Sequence, residues 1–277
     1  MEKSCRLSVL PVSLFGPIES GEITLEEWLT KAKEMGLDAA DISMMLLKNH
    51  TPVYLEGVKR MMERIGIPMA MASAYPDFTH PDALQREREL EYLRRDIAVC
   101  SALGIEYVRV LAGQAHPGVT REQGVRWAVE MLRRAAVTAA KFGVVLVYED
   151  HYKPGAWRYE DFSFPVDIFL EIAQALKGSG VKINFDTGNI TAQGGDPMTV
   201  LPQVYDALAT VHISDMQTLG CFAPAVIGTG VTPNAEVLAW LKHHGFGGLI
   251  CIEEASGTGF SGIRKAVEFV RETWNRA

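Results

Sequence analysis

The chain of 277 residues has only four cysteines, Cys5, Cys100, Cys221 and Cys251, and no two of them form a C-x-x-C pair. Thiols this sparse need no disulfide framework; Cys100 and Cys251 fall in a helical and a strand pattern and read as buried small hydrophobes. No apolar run approaches the ~20 residues of a membrane span. The N-terminal stretch LSVLPVSLFG is broken by Pro11 and lacks a small-residue cleavage pattern, so it reads as a first strand and not as a signal peptide. The cytoplasm is the expected compartment. Positive charge is also short: 27 Lys and Arg against 34 Asp and Glu give a net charge of −7. An acidic chain offers a phosphate backbone no long-range attraction, and no Lys/Arg stripe with interleaved aromatics provides a local one. Nucleic acid and membrane are therefore not expected partners. No glycine-rich fingerprint follows the first strand, and neither a P-loop nor a Ser–His–Asp spacing is present. No Pro/Ser-rich linker divides the sequence, so one domain over residues 1–277 is expected.

What is present is a loose repeat. Gly36, Gly66, Gly104, Gly143, Gly180 and Gly245 each follow an amphipathic stretch and precede an apolar one. Glycine suits the left-handed residue just past a helix, and a strand beginning within a few residues makes an αβ loop. The longest interval, between Gly180 and Gly245, corresponds to two units with one glycine missing. Thr24 with Glu27 and Thr120 with Gln123 have capping-box spacing, and Asp196–Pro197 and Thr232–Pro233 read as N-cap followed by proline. Strands are predicted near 7–12, 38–43, 67–74, 106–111, 144–149, 181–186, 209–213 and 249–253. Eight strands alternating with helices predict a single (β/α)8 TIM barrel, with an open doubly wound sheet as the competitor.

Four of these strands end on a residue able to ligate a metal. VVLVYE ends on Glu149, VKINFD on Asp186, ATVH on His212 and LICIE on Glu253, at intervals of 37, 26 and 41 residues. Those spacings gather the four at one end of a parallel barrel, where barrels of this type place their chemistry. Side chains alternate along a strand, so Glu149 shares a face with Val147 and Val145, Asp186 with Asn184, and Glu253 with Cys251. All three carboxylates then point inward, which is costly for charge unless it is paired or metallated. Three carboxylates and one imidazole suit a hard-to-borderline divalent cation. Manganese is the expected ion, with magnesium, cobalt and zinc as alternatives.

Around these residues the chain resembles the xylose isomerase-like barrel superfamily, in its sugar (phosphate) isomerase/epimerase branch. The matching segments are DFTHPD at 77–82, VRVLAG at 108–113, VYEDH at 147–151, NFDTGN at 184–189, VHISD at 211–215 and IEEASGTG at 252–259, with GTG at 228–230 after the seventh strand. The resemblance implies that Glu149, Asp186, His212 and Glu253 are the metal ligands and that the substrate is a sugar. Glu254 adjoins Glu253, and strand parity favours Glu253. Many epimerases of the superfamily have a histidine three residues after the aspartate; here that position is Asn189.

For a keto sugar, a divalent cation held by these residues would acidify the α-hydrogen and stabilise an enediolate. Glu149 and Glu253, on different strands, would be the catalytic pair moving the proton. Epimerisation, isomerisation and elimination all fit such a site, so a lyase or dehydratase acting on a keto sugar or keto-cyclitol is the alternative to an isomerase or epimerase. His80, Arg109, His151, Asn189 and Asp215 are the expected substrate-binding residues, with orientation of a ligand an equal role for Arg109 and Asp215. Lys153, Trp157 and Arg158 read as an exposed loop with one packing aromatic. An abasic-site endonuclease would need more histidines than the seven present. Oligomerisation is common in such barrels, and the sequence identifies no interface.

Overall fold

The computed structural model describes residues 6–277; Cys5 lies outside them. Eight parallel strands alternate with helices: β1 Arg6–Leu10, β2 Ala40–Ser43, β3 Met69–Ser73, β4 Tyr107–Val110, β5 Val145–Glu149, β6 Lys182–Asp186, β7 Leu208–Ile213 and β8 Leu249–Glu253. Their order is β1-β8-β7-β6-β5-β4-β3-β2. The remaining edge, between β1 and β2, is closed by backbone donation from Asp38 to the Leu7 carbonyl (3.0 Å) and by the Leu7 N–H bonding the Asp38 carboxylate (2.9 Å). The result is a nearly closed TIM barrel. β1 ends earlier than the predicted residue 12, because Pro11 has no N–H for a ladder and the chain turns into a 3-10 segment, Val12–Leu14.

Local signals set most helix ends. Both capping boxes form, at Thr24–Glu27 and Thr120–Gln123. Asp196 caps its helix by accepting from the Met198 N–H. Thr232–Pro233 does not act as predicted. That helix is Asn234–His243, and the Thr232 hydroxyl is taken instead by the Met216 N–H. The missing glycine of the repeat falls where helix Pro197–Val204 runs through a 3-10 turn straight into β7.

Strand alternation divides the core in two. Phe185, Ile183, Ile250, Ile252, Leu146 and Tyr148 face the helices, where the Tyr148 ring packs on Phe169. Val147, Cys251, Leu249, Leu10 and Ala70 fill the barrel interior. These apolar residues share the interior with the buried hydrogen-bonded pairs Ser8–Asp41 and Thr210–Asn184, beneath the C-terminal strand ends, where polar contacts are stronger than in water. Among the described residues no helix is long and apolar enough to cross a membrane.

Candidate metal centre

Register brings the strand-end residues together. Asp186 pairs with His212 across β6 and β7, His212 with Cys251 across β7 and β8, and Glu149 with Asn184 across β5 and β6. Glu253 is one inward position above Cys251. Glu149, Asp186 and His212 are fully buried, whereas the Glu253 side chain keeps 15% of its surface exposed. One ligand atom from each of the four lies within 4.8 Å of the others.

The contacts at His212 decide what kind of cluster this is. Its Nδ1 is 2.5 Å from Glu149 Oε1, 2.7 Å from Glu253 Oε2 and 3.9 Å from Asp186 Oδ2. None of these has hydrogen-bond geometry, and His212 Nδ1, Asp186 Oδ2 and Glu253 Oε2 are buried without a hydrogen-bond partner. A ring nitrogen carries one proton at most, so it cannot satisfy three carboxylates. Atoms that converge on one point without bonding each other fit the donor shell of a cation.

Neighbours outside the four also hold these side chains. Asp186 Oδ1 accepts from the Asn189 N–H and from Ser214 Oγ, both at 2.7 Å, which leaves Oδ2 aimed at the cluster. Gly188 lets this helix turn approach so closely, since a Cβ there would collide with Ser214 Oγ. Glu149 Oε1 accepts from Asn184 Nδ2 at 2.5 Å, and Asn184 Oδ1 accepts from Thr210 at 2.6 Å. Arg109 Nε lies 3.2 Å from Glu149 Oε2, and its guanidinium sits 4.7 Å over the Tyr75 ring.

Electrostatics follow from this geometry. Burial alone would raise Glu149, but Arg109 and His212 hold its carboxyl down at about 2. Asp186, buried and facing Glu253 and Glu149, is pushed up to about 8. His212 is raised well above the usual histidine range: burial opposes its charge, but Glu149, Cys251 and Glu253 outweigh that. Without a cation, protons on Asp186 and His212 neutralise part of the cluster's charge.

The other expected residues are spread around this centre. His151 is buried, and burial lowers it to about 4 despite Glu149 nearby. Asn189 lines a small cavity of ≈ 10 Å³ beside Glu253, with its amide bonded to the Asp150 carbonyl and the Tyr152 N–H. Asp215 lines the same cavity, yet its carboxylate accepts from the N–H groups of Met216, Gly228, Gly230 and Thr232 at 2.9–3.1 Å. It thus orders the GTG loop, and Gly230 is required there because a Cβ would strike Asp215. Glu254 points away from the four, toward Ser256. His80 belongs to a separate cavity beyond Tyr75. Trp157 packs as a nearly buried aromatic and Arg158 is exposed. His116 lies in none of the matching segments, and Ser214 and Asn184 fall inside VHISD and NFDTGN without being singled out there; the folded contacts reveal their roles.

The model of the xylose isomerase-like TIM barrel matches residues 29–273. The chain belongs to that family. Among relatives, a protein of Streptomyces coelicolor assigned as a hydroxypyruvate isomerase is 29% identical over 85% of this chain and 87% of its own length. A protein of Escherichia coli assigned as the L-ribulose-5-phosphate 3-epimerase SgbU is 25% identical over 79% and 77%. Of solved structures, the IolI protein with a bound zinc atom superposes with a TM-score of 0.80 at 17% identity, covering 98% of both chains. AsbF of Bacillus anthracis, named for 3-DHS dehydratase activity, gives 0.78 at 14%, covering 96% and 98%. At such identities the two structures establish the fold, which isomerase and dehydratase names share within the family.

Proposed function

We propose that the protein is a divalent-metal-dependent isomerase or epimerase of a keto sugar. The observation that carries this is the convergence of three carboxylate oxygens on His212 Nδ1 without hydrogen-bond geometry. Charge balance supports a divalent ion. Glu149, Asp186 and Glu253 bring three negative charges, which a dication and the Arg109 guanidinium together cancel, with His212 neutral. The oxygen-rich donor set favours manganese over softer ions. When bound, such an ion polarises a carbonyl and the adjacent hydroxyl, which acidifies the hydrogen between them.

The side chains divide the work. Asp186, fixed through Oδ1, and His212 hold the ion. Glu149 is buried and held anionic by Arg109. Glu253, the most exposed of the four and with Asp186 a lining residue of the small cavity, is placed to take a proton from the substrate carbon, with Glu149 serving the opposite face. The cavity at Glu253 has room for about one water molecule. A sugar is larger than this cavity, whose lining includes Phe222, stacked on Tyr152 at 4.6 Å.

The test is proton exchange. Manganese-loaded protein is offered keto sugars in D2O, and NMR follows both the α-carbon signal and the products. Wild type is expected to exchange and to yield an isomer of unchanged mass, with exchange lost in Glu149→Gln and Glu253→Gln. An enone chromophore with loss of a leaving group would assign the lyase alternative instead. Wild-type exchange in both variants would sink the proposal.

A further inference from the structure

Beyond the four-residue cluster, the loops after β3, β4 and β5 and the start of the helix Ala83–Leu103 line a separate open cavity of ≈ 540 Å³, within the roughly 300–1,000 Å³ range of small-molecule sites. It shares no lining residue with the small cavity at Glu253. One chain of contacts links the regions: Glu149 touches Arg109, Arg109 lies over Tyr75, and Tyr75 lines the larger cavity. This contact chain places the larger cavity on the Tyr75 side of Arg109, next to the cluster.

We propose that this cavity is a subsite for a glycosyl ring carried by the substrate, an inference that rests on the keto-sugar function proposed above. Its walls have the mixed character a sugar ring needs. Tyr75, Trp157 and Tyr159 supply aromatic surface. The axial C–H face of a pyranose is weakly positive and packs against the negative face of such rings. His80 and His116 meet edge to face at 4.7 Å, and His116 continues onto Tyr159 at 5.4 Å.

Both imidazoles are anchored by neighbours. His80 Nδ1 accepts from the Asp82 N–H at 3.1 Å, which leaves Nε2 as its donor. His116 Nε2 donates to Asp77 Oδ2 at 2.8 Å. The His80 ring thus keeps a donor for a sugar hydroxyl.

Charge excludes a phosphate as the better guest. The Asp77 carboxylate is already committed to His116 and to the backbone and side-chain N–H groups of Gln114, both at 2.9 Å. Glu89 accepts from Gln85 and from the Asp77 N–H. Among the described residues Arg158 is the one permanent cation lining the cavity, and its guanidinium rests over Tyr159 at 5.2 Å. A phosphate needs convergent cationic or N–H donors, and two carboxylates against one guanidinium are a poor match for it.

Saturation-transfer NMR and titration calorimetry on the manganese-loaded protein test this with maltulose and lactulose, which are ketoses bearing a glucosyl or galactosyl ring. D-fructose and fructose 6-phosphate are the controls. The expected result is saturation of the glycosyl protons of at least one disaccharide and affinity about tenfold above both controls. That advantage should disappear in Tyr159→Ala and in His80→Leu, each with wild-type thermal stability and unchanged D-fructose binding; if one variant fails to fold, the other decides. Unsaturated glycosyl protons, an advantage kept in the folded variants, or tightest binding of the phosphosugar would overturn the proposal. Binding needs no turnover, so glycosyl contact without α-carbon exchange would sink the isomerase function alone. Exchange without glycosyl contact would sink the subsite alone.

Discussion

Two histidines in this molecule stand beside carboxylates, and their surroundings differ in kind. His116 has one carboxylate, Asp77, at 2.8 Å in hydrogen-bond geometry, and Asp77 shares its charge with two N–H groups of Gln114. His212 has three carboxylates around a single nitrogen, bonded to none of them, at the C-terminal end of the barrel interior. The first is a finished pair that needs nothing more. In the second, one N–H serves one acceptor, and protons on Asp186 and His212 relieve only part of the repulsion between its buried charges. The number of buried carboxylate oxygens per ring nitrogen, not mere proximity of histidine and acid, separates the candidate metal site from a hydrogen-bonded pair.

The largest expected effect comes from breaking one histidine at a time. His212→Asn should lower α-carbon exchange on a free ketose to the uncatalysed level, whereas His116→Asn should leave that rate within about threefold, below 1 kcal/mol in the barrier. Parallel rate measurements on the two variants check this, and equal losses would erase the distinction between the sites.

A smaller effect is expected behind the cluster. Ser214→Ala removes the O–H that holds Asp186 Oδ1, and loss of such an outer partner typically weakens metal affinity about 10–100-fold. Competition with a fluorescent chelator measures it. Wild-type affinity would show that Asp186 is oriented by the Asn189 N–H alone.

The smallest effect is a dependence on pH. Asp186 is held up at about 8 in the ion-free protein, against an unfolded value of about 4. Its contribution to stability is therefore complete below about 4 and is lost as pH rises through 8. A bound cation favours the charged carboxylate instead. The difference in Tm between manganese-saturated and chelator-treated protein should widen from pH 5 to pH 8 in thermal unfolding scans. A constant or narrowing difference would mean that Asp186 does not exchange its proton for the ion.

Local chemistry made much of this legible in the sequence. Capping boxes at Thr24 and Thr120 need only neighbours three residues away, and period-two alternation placed Glu149, Asp186 and Glu253 on the inward face. Thr232 misled because its hydroxyl answers to Met216, sixteen residues earlier, and not to its own helix. Asp215 and Asn189 have the right residue types for substrate contact, but their polar atoms serve the backbone of neighbouring loops, a commitment that exists only in the fold. Ser214 and His116 could not be singled out, since each gains its importance from a partner 28 or 39 residues away. The site's inner shell is a strand-parity pattern; its supports are tertiary.

The most direct measurement is calorimetric titration of the metal-free protein with manganese at pH 7, repeated in buffers of different ionisation enthalpy to count released protons. One ion per chain, with net proton release from Asp186 and His212 and no binding in Glu253→Gln/His212→Asn, is the expected result. Absence of binding in the wild type, or uptake that survives in the double variant, would contradict a metal centre at these four strand ends.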